Sequence, residues 1–185
     1  MIPAVILAGG LARRMGGGDK GRALLQGRPL IRHVLDRLQP QCAPIALNAN
    51  GDPARWDDLG LPVLPDTRAG HPGPLAGVLA GMRWAAALGR DRIVTAAADT
   101  PFLPPTLVAD LAAAGDGLVL ARAGGRPQPT FGLWPTALAD DLDEALGAGT
   151  RKILDWTDRH APAHADFPAE AFFNVNRPED LDRAP

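Results

Sequence analysis

The chain has 185 residues, 46% of them hydrophobic, with a formal net charge of −2, a pI near 6.0 and a single cysteine. That length fills one core and is short for two, so one domain over residues 1–185 is expected, and the near-neutral balance gives no global attraction to nucleic acid or to an anionic membrane. Cys42 has no disulfide partner, Met1 is followed by apolar residues without a basic segment, and no apolar stretch approaches the roughly 20 residues of a membrane span. A cytoplasmic protein is expected, meeting any anionic ligand at a local basic site.

Ala4-Val5-Ile6-Leu7-Ala8 is apolar at consecutive positions, the pattern of a parallel strand covered on both faces. From Pro29, residues Leu30, Ile31, Val34, Leu35 and Leu38 fall on one helical stripe that ends near Pro40. The alternation then repeats. A strand is predicted at Ile45 to Leu47, a short helix at Pro53 to Leu59, a strand at Pro62 to Leu64, and a helix carrying Leu75, Val78, Leu79 and Met82. Next come a strand at Ile93 to Ala98, a helix at Pro105 to Ala114 and a strand at Leu118 to Ala121. Repeated strand and helix units imply an α/β fold, a Rossmann-like three-layer sandwich with a mainly parallel central sheet. Beyond Gly124 the pattern loosens. A strand at Pro129 to Trp134, a helix at Leu138 to Leu146, another after Thr150 and a tail helix after Pro178 read as a small C-terminal lobe of the same domain.

Directly after the first strand runs L-A-G-G-L-A-R-R-M-G-G-G-D-K, Leu7 to Lys20. Its five glycines let backbone amides approach an anion, and Arg13, Arg14 and Lys20 supply positive charge. The loop falls at the carboxyl end of a central strand, where open α/β sheets bind ligands. It is neither a Walker loop, because Gly21 stands where Ser or Thr would follow Lys20, nor the G-x-G-x-x-G of dinucleotide enzymes. A polyphosphate cradle is the reading favoured over a flexible surface turn.

These residues resemble a known signature. L-A-G-G-x-x-x-R-M-G-G-x-D-K followed by G-R-P-L is similar to that of the molybdenum cofactor guanylyltransferases, in the wider group of nucleotidyltransferases. The similarity continues through N-A-N at Asn48 to Asn50, P-D-T-R at Pro65 to Arg68, G-H-P-G-P-L-A-G at Gly70 to Gly77, D-T-P-F-L-P at Asp99 to Pro104, and F-F-N-V-N-R-P-E-D-L at Phe172 to Leu181. The resemblance implies transfer of GMP from GTP to the terminal phosphate of molybdopterin, or of its molybdenum-bearing form, with magnesium as cofactor and pyrophosphate as product. It also implies transient contact with molybdoenzymes or their chaperones.

Asp99 follows an apolar strand, so its carboxylate should reach the crevice of the first loop; magnesium takes one or two carboxylates plus substrate phosphates. A helix cap or a brace for the turn at Pro101 is the lesser alternative for Asp99, whereas on composition alone Asn48, which ends a strand, and Asp66, which follows one, suit turns better. The resemblance makes Asp99 the metal ligand, places Leu7, Ala8, Gly9, Gly10, Lys20, Asn48, Asp66 and Asp99 on the nucleotide, and gives Arg14, Lys20 and Asp99 the catalytic roles. It places Arg14, Gly17, Gly73, Gly77, Asn174 and Asn176 on the acceptor side. Physics leaves Gly70 to Gly77 open between an anion site at a helix N-terminus and a tightly packed helix start. Asn174 and Asn176 are either a polar reader or a tie for the tail.

Two positions depart from the family pattern: Ala98 where a cysteine is frequent, and Gln128 where a histidine precedes P-T-F. Thr150-Arg151-Lys152 also matches, and either lends charge to the acceptor side or solvates a helix start. The rivals are a cytidylyl or adenylyl version, a sugar-phosphate nucleotidyltransferase, and a GTP-binding regulator without chemistry. His33, His160 and His164 are read as surface or loop residues and Cys42 as packing. Asp140, Asp141, Asp143 and Glu144 are read as a solvated helix face, and the four tryptophans as core or lobe contacts.

Overall fold

A computed structural model of the chain describes residues 1–9, 11–12, 18–68 and 73–175. The first strand, β1 (Ala4–Leu7), is deeply buried: Ala4, Val5 and Ile6 are each 0% exposed, as continuous apolar character demands. After it come a short antiparallel pair, β2 (Leu11–Ala12) and β3 (Gly18–Asp19), a 3-10 turn at Lys20–Arg22, and a hairpin of β4 (Leu24–Leu25) with β5 (Arg28–Pro29). Helix α1 (Leu30–Leu38) then buries the expected stripe of Leu30, Ile31, Val34, Leu35 and Leu38.

Strand β6 (Ile45–Asn48), a 3-10 helix at Pro53–Leu59, β7 (Val63–Leu64), α2 (Pro74–Ala87), β8 (Arg92–Ala97), α3 (Leu107–Ala114) and β9 (Val119–Ala123) follow in the predicted order. The last elements are β10 (Arg126–Pro135), α4 (Ala139–Gly147), α5 (Ile153–Thr157) and β11 (Ala163–Phe167). The seven-stranded sheet has the order β11-β9-β10-β8-β1-β6-β7. Only β10 runs antiparallel to its neighbours, so the sheet is mainly parallel.

Alternation along the strands sends side chains to two cores. Ala4, Ile6, Leu47 and Val94 pack with α1 and α3 on one face. Val5, Ala46, Ile93 and Trp134 pack with α2, α4 and α5 on the other. Helix α2 buries nine of its fourteen residues, because α4 covers the side turned from the sheet. Its buried Leu75, Val78, Leu79 and Met82 are worth about 1.5–3 kcal/mol each, more than the roughly 1 kcal/mol cost of each helical glycine at Gly77 and Gly81.

The region after Gly124, expected as an appended lobe, is knitted into the sheet instead. β10 inserts between β8 and β9, β11 adds a parallel edge strand, and Ile153 and Trp156 of α5 complete the core beneath α2 and α4. The expected tail helix after Pro178 lies outside the described residues.

Candidate active site

Strand ends converge on one cleft of about 580 Å³. Leu7, Ala8 and Gly9 run along its floor where β1 stops; Asn48 ends β6, Asp66 lies just past β7, and Asp99 lies just past β8. All are at the carboxyl edge because β1, β6, β7 and β8 are parallel. Backbone bonds hold that edge together: Ala8 N donates to Asn48 O at 2.9 Å and Ala98 N to Leu7 O at 3.1 Å.

On one wall, Lys20 Nζ meets Asp99 Oδ2 at 3.2 Å, joining the end of the first loop to the β8 turn. The Asp99 carboxylate does not cap α3, whose N-cap is Thr106. Gly21 packs beneath this pair, where an added Cβ would come within 3.3 Å of Ala98 Cβ. The fully buried Thr100 hydroxyl donates to Asn174 Oδ1 and lies 3.4 Å from Asp99 Oδ1. Val175 N donates to Asp99 O at 3.0 Å, so the chain near Asn174 is pinned to the Asp99 turn.

On the other wall, Asn48 Nδ2 donates to Asp66 Oδ1 at 2.9 Å and to Leu64 O at 3.0 Å, and Asn50 Nδ2 donates to Asp66 Oδ2 at 2.8 Å. Asn48 is 2% exposed and serves a polar cluster beyond turn formation. Gly77 is buried in α2, where a Cβ would fall 2.2 Å from Asn48 Oδ1. Only glycine lets the helix approach the asparagine this closely, so the structure places Gly77 behind Asn48, off the cleft lining. Gly73, at φ +81°, is the N-cap of α2 and lines the cleft with Pro74, bringing the helix N-terminus to the cavity.

The end of the first loop is braced from outside. Arg22 forks onto Asp58 at 2.5 and 2.9 Å, lies over the Trp56 ring at 4.5 Å and donates to the Arg55 carbonyl, while Arg55 pairs with Asp19. The Arg22 guanidinium, then Arg32, hold the Asp58 carboxyl down at a pKa of about 2. Lys20, two residues from Arg22, therefore starts from an anchored turn.

Of the predicted site residues, Leu7, Ala8, Gly9, Lys20, Asn48, Asp66, Gly73, Asp99 and Asn174 line one cleft. Gly10, Arg14, Gly17 and Asn176 lie outside the described residues. Sequence reasoning missed Asn50, Thr100 and Thr130. Asn50 and Thr100 sit inside the quoted motifs, and Thr130 reaches the cleft from the register break of β10 between Gln128 and Gly132. The solvated-face reading of α4 holds for Asp140 and Glu144, which are exposed, and needs correction at Asp141 and Asp143. Asp143 accepts from Arg68 at 2.5 Å and Arg83 at 2.7 Å, which lower its pKa, and Asp141 accepts from Trp156 at 2.7 Å and lies 3.0 Å from His160. Cys42 is packing, as expected: burial pushes its thiol up to about 12.

Residues 4–163 match the MobA-like NTP transferase domain. The chain belongs to that family. It is 55% identical over 183 residues to a molybdenum cofactor guanylyltransferase of Cereibacter sphaeroides, covering 97% of this chain and 93% of the relative. It is 49% identical to one of a Bradyrhizobium species, covering 99% and 91%. Among solved structures, molybdopterin-guanine dinucleotide biosynthesis protein A from Archaeoglobus fulgidus superposes with a TM-score of 0.76 at 28% identity, over 99% of this chain and 96% of its own. A 4-diphosphocytidyl-2C-methyl-D-erythritol synthase from Anaerococcus prevotii, 15% identical with a TM-score of 0.75 over 100% and 96%, shares the fold.

For a MobA-like transferase, the two departures from the family pattern fall in different places. Ala98 is buried against the Gly21 turn and has no polar role. Gln128 is half-buried beside the β10 register break.

Proposed function

We propose that the protein transfers GMP from GTP to the terminal phosphate of molybdopterin, releasing pyrophosphate and forming the guanine dinucleotide. The observation that carries this reading is the meeting of Lys20 and Asp99, 79 residues apart in sequence, at 3.2 Å on one wall of a cleft whose other wall is the Asn48 and Asp66 cluster. The relatives' names supply the substrates. The reading treats residues 1–185 as one domain, in keeping with the single sheet shared by both cores, and places it in the cytoplasm with GTP. No helix among the described residues is long and apolar enough to cross a membrane.

The acceptor phosphate monoester is largely ionised near neutral pH, since its second pKa is about 6, so it attacks the α-phosphorus of GTP without a general base. The P–O bond to the β-phosphate breaks, and pyrophosphate leaves. The protein's task is alignment and charge. Lys20 brings a cation to the polyphosphate, Arg14 is assigned to it by resemblance, and the α2 N-terminus at Gly73 with Asn174 would hold the acceptor.

Magnesium fits Asp99. Its carboxylate lines the cleft where substrate phosphates would lie, and such an ion takes one or two carboxylates together with phosphate oxygens and water. Bound there, magnesium would offset charge developing on the phosphates.

The test is pyrophosphate release with molybdopterin and magnesium, offering GTP, CTP and ATP separately. Release with GTP alone, dependent on the pterin, is expected. Release with CTP or ATP would overturn the base specificity, and GTP binding without release would favour a regulator or another acceptor, including a sugar phosphate.

A further inference from the structure

The Asp66 carboxylate is preset by a residue outside the predicted set. Asn50 Nδ2 donates to Asp66 Oδ2 at 2.8 Å, while Asn50 Oδ1 accepts from the Asp66 backbone N–H at 2.9 Å. A backbone N–H can only donate, so Oδ1 must face it and Nδ2 must face the carboxylate. The two bonds form a closed ring that fixes both the main chain and the side chain of Asp66. Asn48 Nδ2 takes the second oxygen at 2.9 Å, and its own aim is set by Leu64 O. Each oxygen retains a further lone-pair direction, and Asp66 lines the cleft.

A carboxylate held this way presents two adjacent acceptors to a ligand edge carrying two adjacent donors. Guanine offers such an edge in N1–H and the 2-amino group. Adenine and cytosine instead place one amino donor beside a ring acceptor. We infer that Asn50 is a positioning residue for nucleotide choice, holding Asp66 as the acceptor of the guanine N1–H and N2–H pair. The inference rests on the guanylyltransferase reading and extends it to a residue that would touch no substrate. The ribose diol is the other adjacent donor pair on a nucleotide, and 2′-deoxy-GTP separates it from the base.

The experiment is equilibrium binding of GTP, ITP and 2′-deoxy-GTP, without acceptor, to the wild type, Asn50→Ala and Asn50→Asp. ITP keeps N1–H and lacks the 2-amino group. Asn50→Ala should weaken GTP about ten-fold, the scale of a hydrogen bond to a charged group, and weaken ITP less, so that the GTP to ITP preference shrinks. Asn50→Asp keeps the size and the acceptor for the Asp66 N–H but sets one carboxylate against another, so it should lose more GTP affinity than Asn50→Ala. A space-filling role would rank the isosteric Asp variant as the milder one. Thermal unfolding of each variant shows first that it is folded, so that a fall in both affinities at an intact ratio counts against the inference. Unchanged GTP affinity in Asn50→Ala, an unchanged GTP to ITP ratio, a milder Asp variant, or a loss confined to discrimination against 2′-deoxy-GTP would each overturn the inference. A wild type that binds no GTP would instead overturn the function reading itself.

Discussion

Two carboxylates face the same cleft and are held in opposite ways. Asp66 is gripped by two neutral amides, Asn48 and Asn50, which orient it without cancelling its charge. Asp99 is met by a cation, Lys20, with the Thr100 hydroxyl close to its other oxygen. An acceptor aimed by neutral donors is suited to reading hydrogen-bond donors, whereas a carboxylate that already faces a positive charge is suited to a place where cations and phosphates meet. On the proposed function, recognition falls to one wall and chemistry to the other, although both residues are aspartates that follow parallel strands.

The strongest way to break this division is Asp99→Ala. It should reduce kcat by at least about a thousand-fold, reflecting several kcal/mol of charge stabilisation, while thermal unfolding changes little. Near-normal turnover would show that Asp99 holds no essential metal. Lys20→Ala should cost about 10²–10³ in kcat, the scale of one lost electrostatic stabiliser, measured by pyrophosphate release at saturating GTP.

A smaller effect sharpens the boundary between donor and acceptor. Thr100→Val keeps the shape and removes the hydroxyl that Asn174 and Asp99 share. It should raise KM for the pterin about ten-fold and leave KM for GTP nearly unchanged. A rise confined to GTP would place Asn174 on the nucleotide.

The smallest effect concerns the brace of the first loop. The Asp58 carboxyl is held at about 2, below the usual carboxylate value near 4. A group whose folded pKa is depressed adds stability that is present above the unfolded value and lost as pH falls through the folded one. The brace should therefore weaken between about pH 4 and pH 2, and Asp58→Asn should flatten the stability profile in that window and slightly lower stability at pH 7, where the wild-type contribution is fully present. The half-exposed pair limits the size of the change.

Much of the fold was legible because the central strands are continuously apolar and the helices carry clear stripes, as at Leu30 to Leu38. Strand β11 was missed because it is a half-polar edge of small residues: Ala165 and Phe167 point inward while His164 and Asp166 face water. The integration of the last third was hidden because β10 pairs with β8 across some 40 residues, a relation that local periodicity does not carry. The cleft residues were readable through their place after strands and their motifs. Asn50 and Asp143 were not, since each takes its meaning from partners remote in sequence: Asp66 for the first, Arg68 and Arg83 for the second.

The division of labour between the two walls is tested most directly by Mn²⁺ binding, followed by electron paramagnetic resonance at saturating GTP, in the wild type, Asp99→Asn and Asp66→Asn. The account predicts that Asp99→Asn loses the protein-bound signal and that Asp66→Asn keeps it while needing more GTP to saturate. Loss of the signal in Asp66→Asn with retention in Asp99→Asn would contradict the assignment of the metal to Asp99.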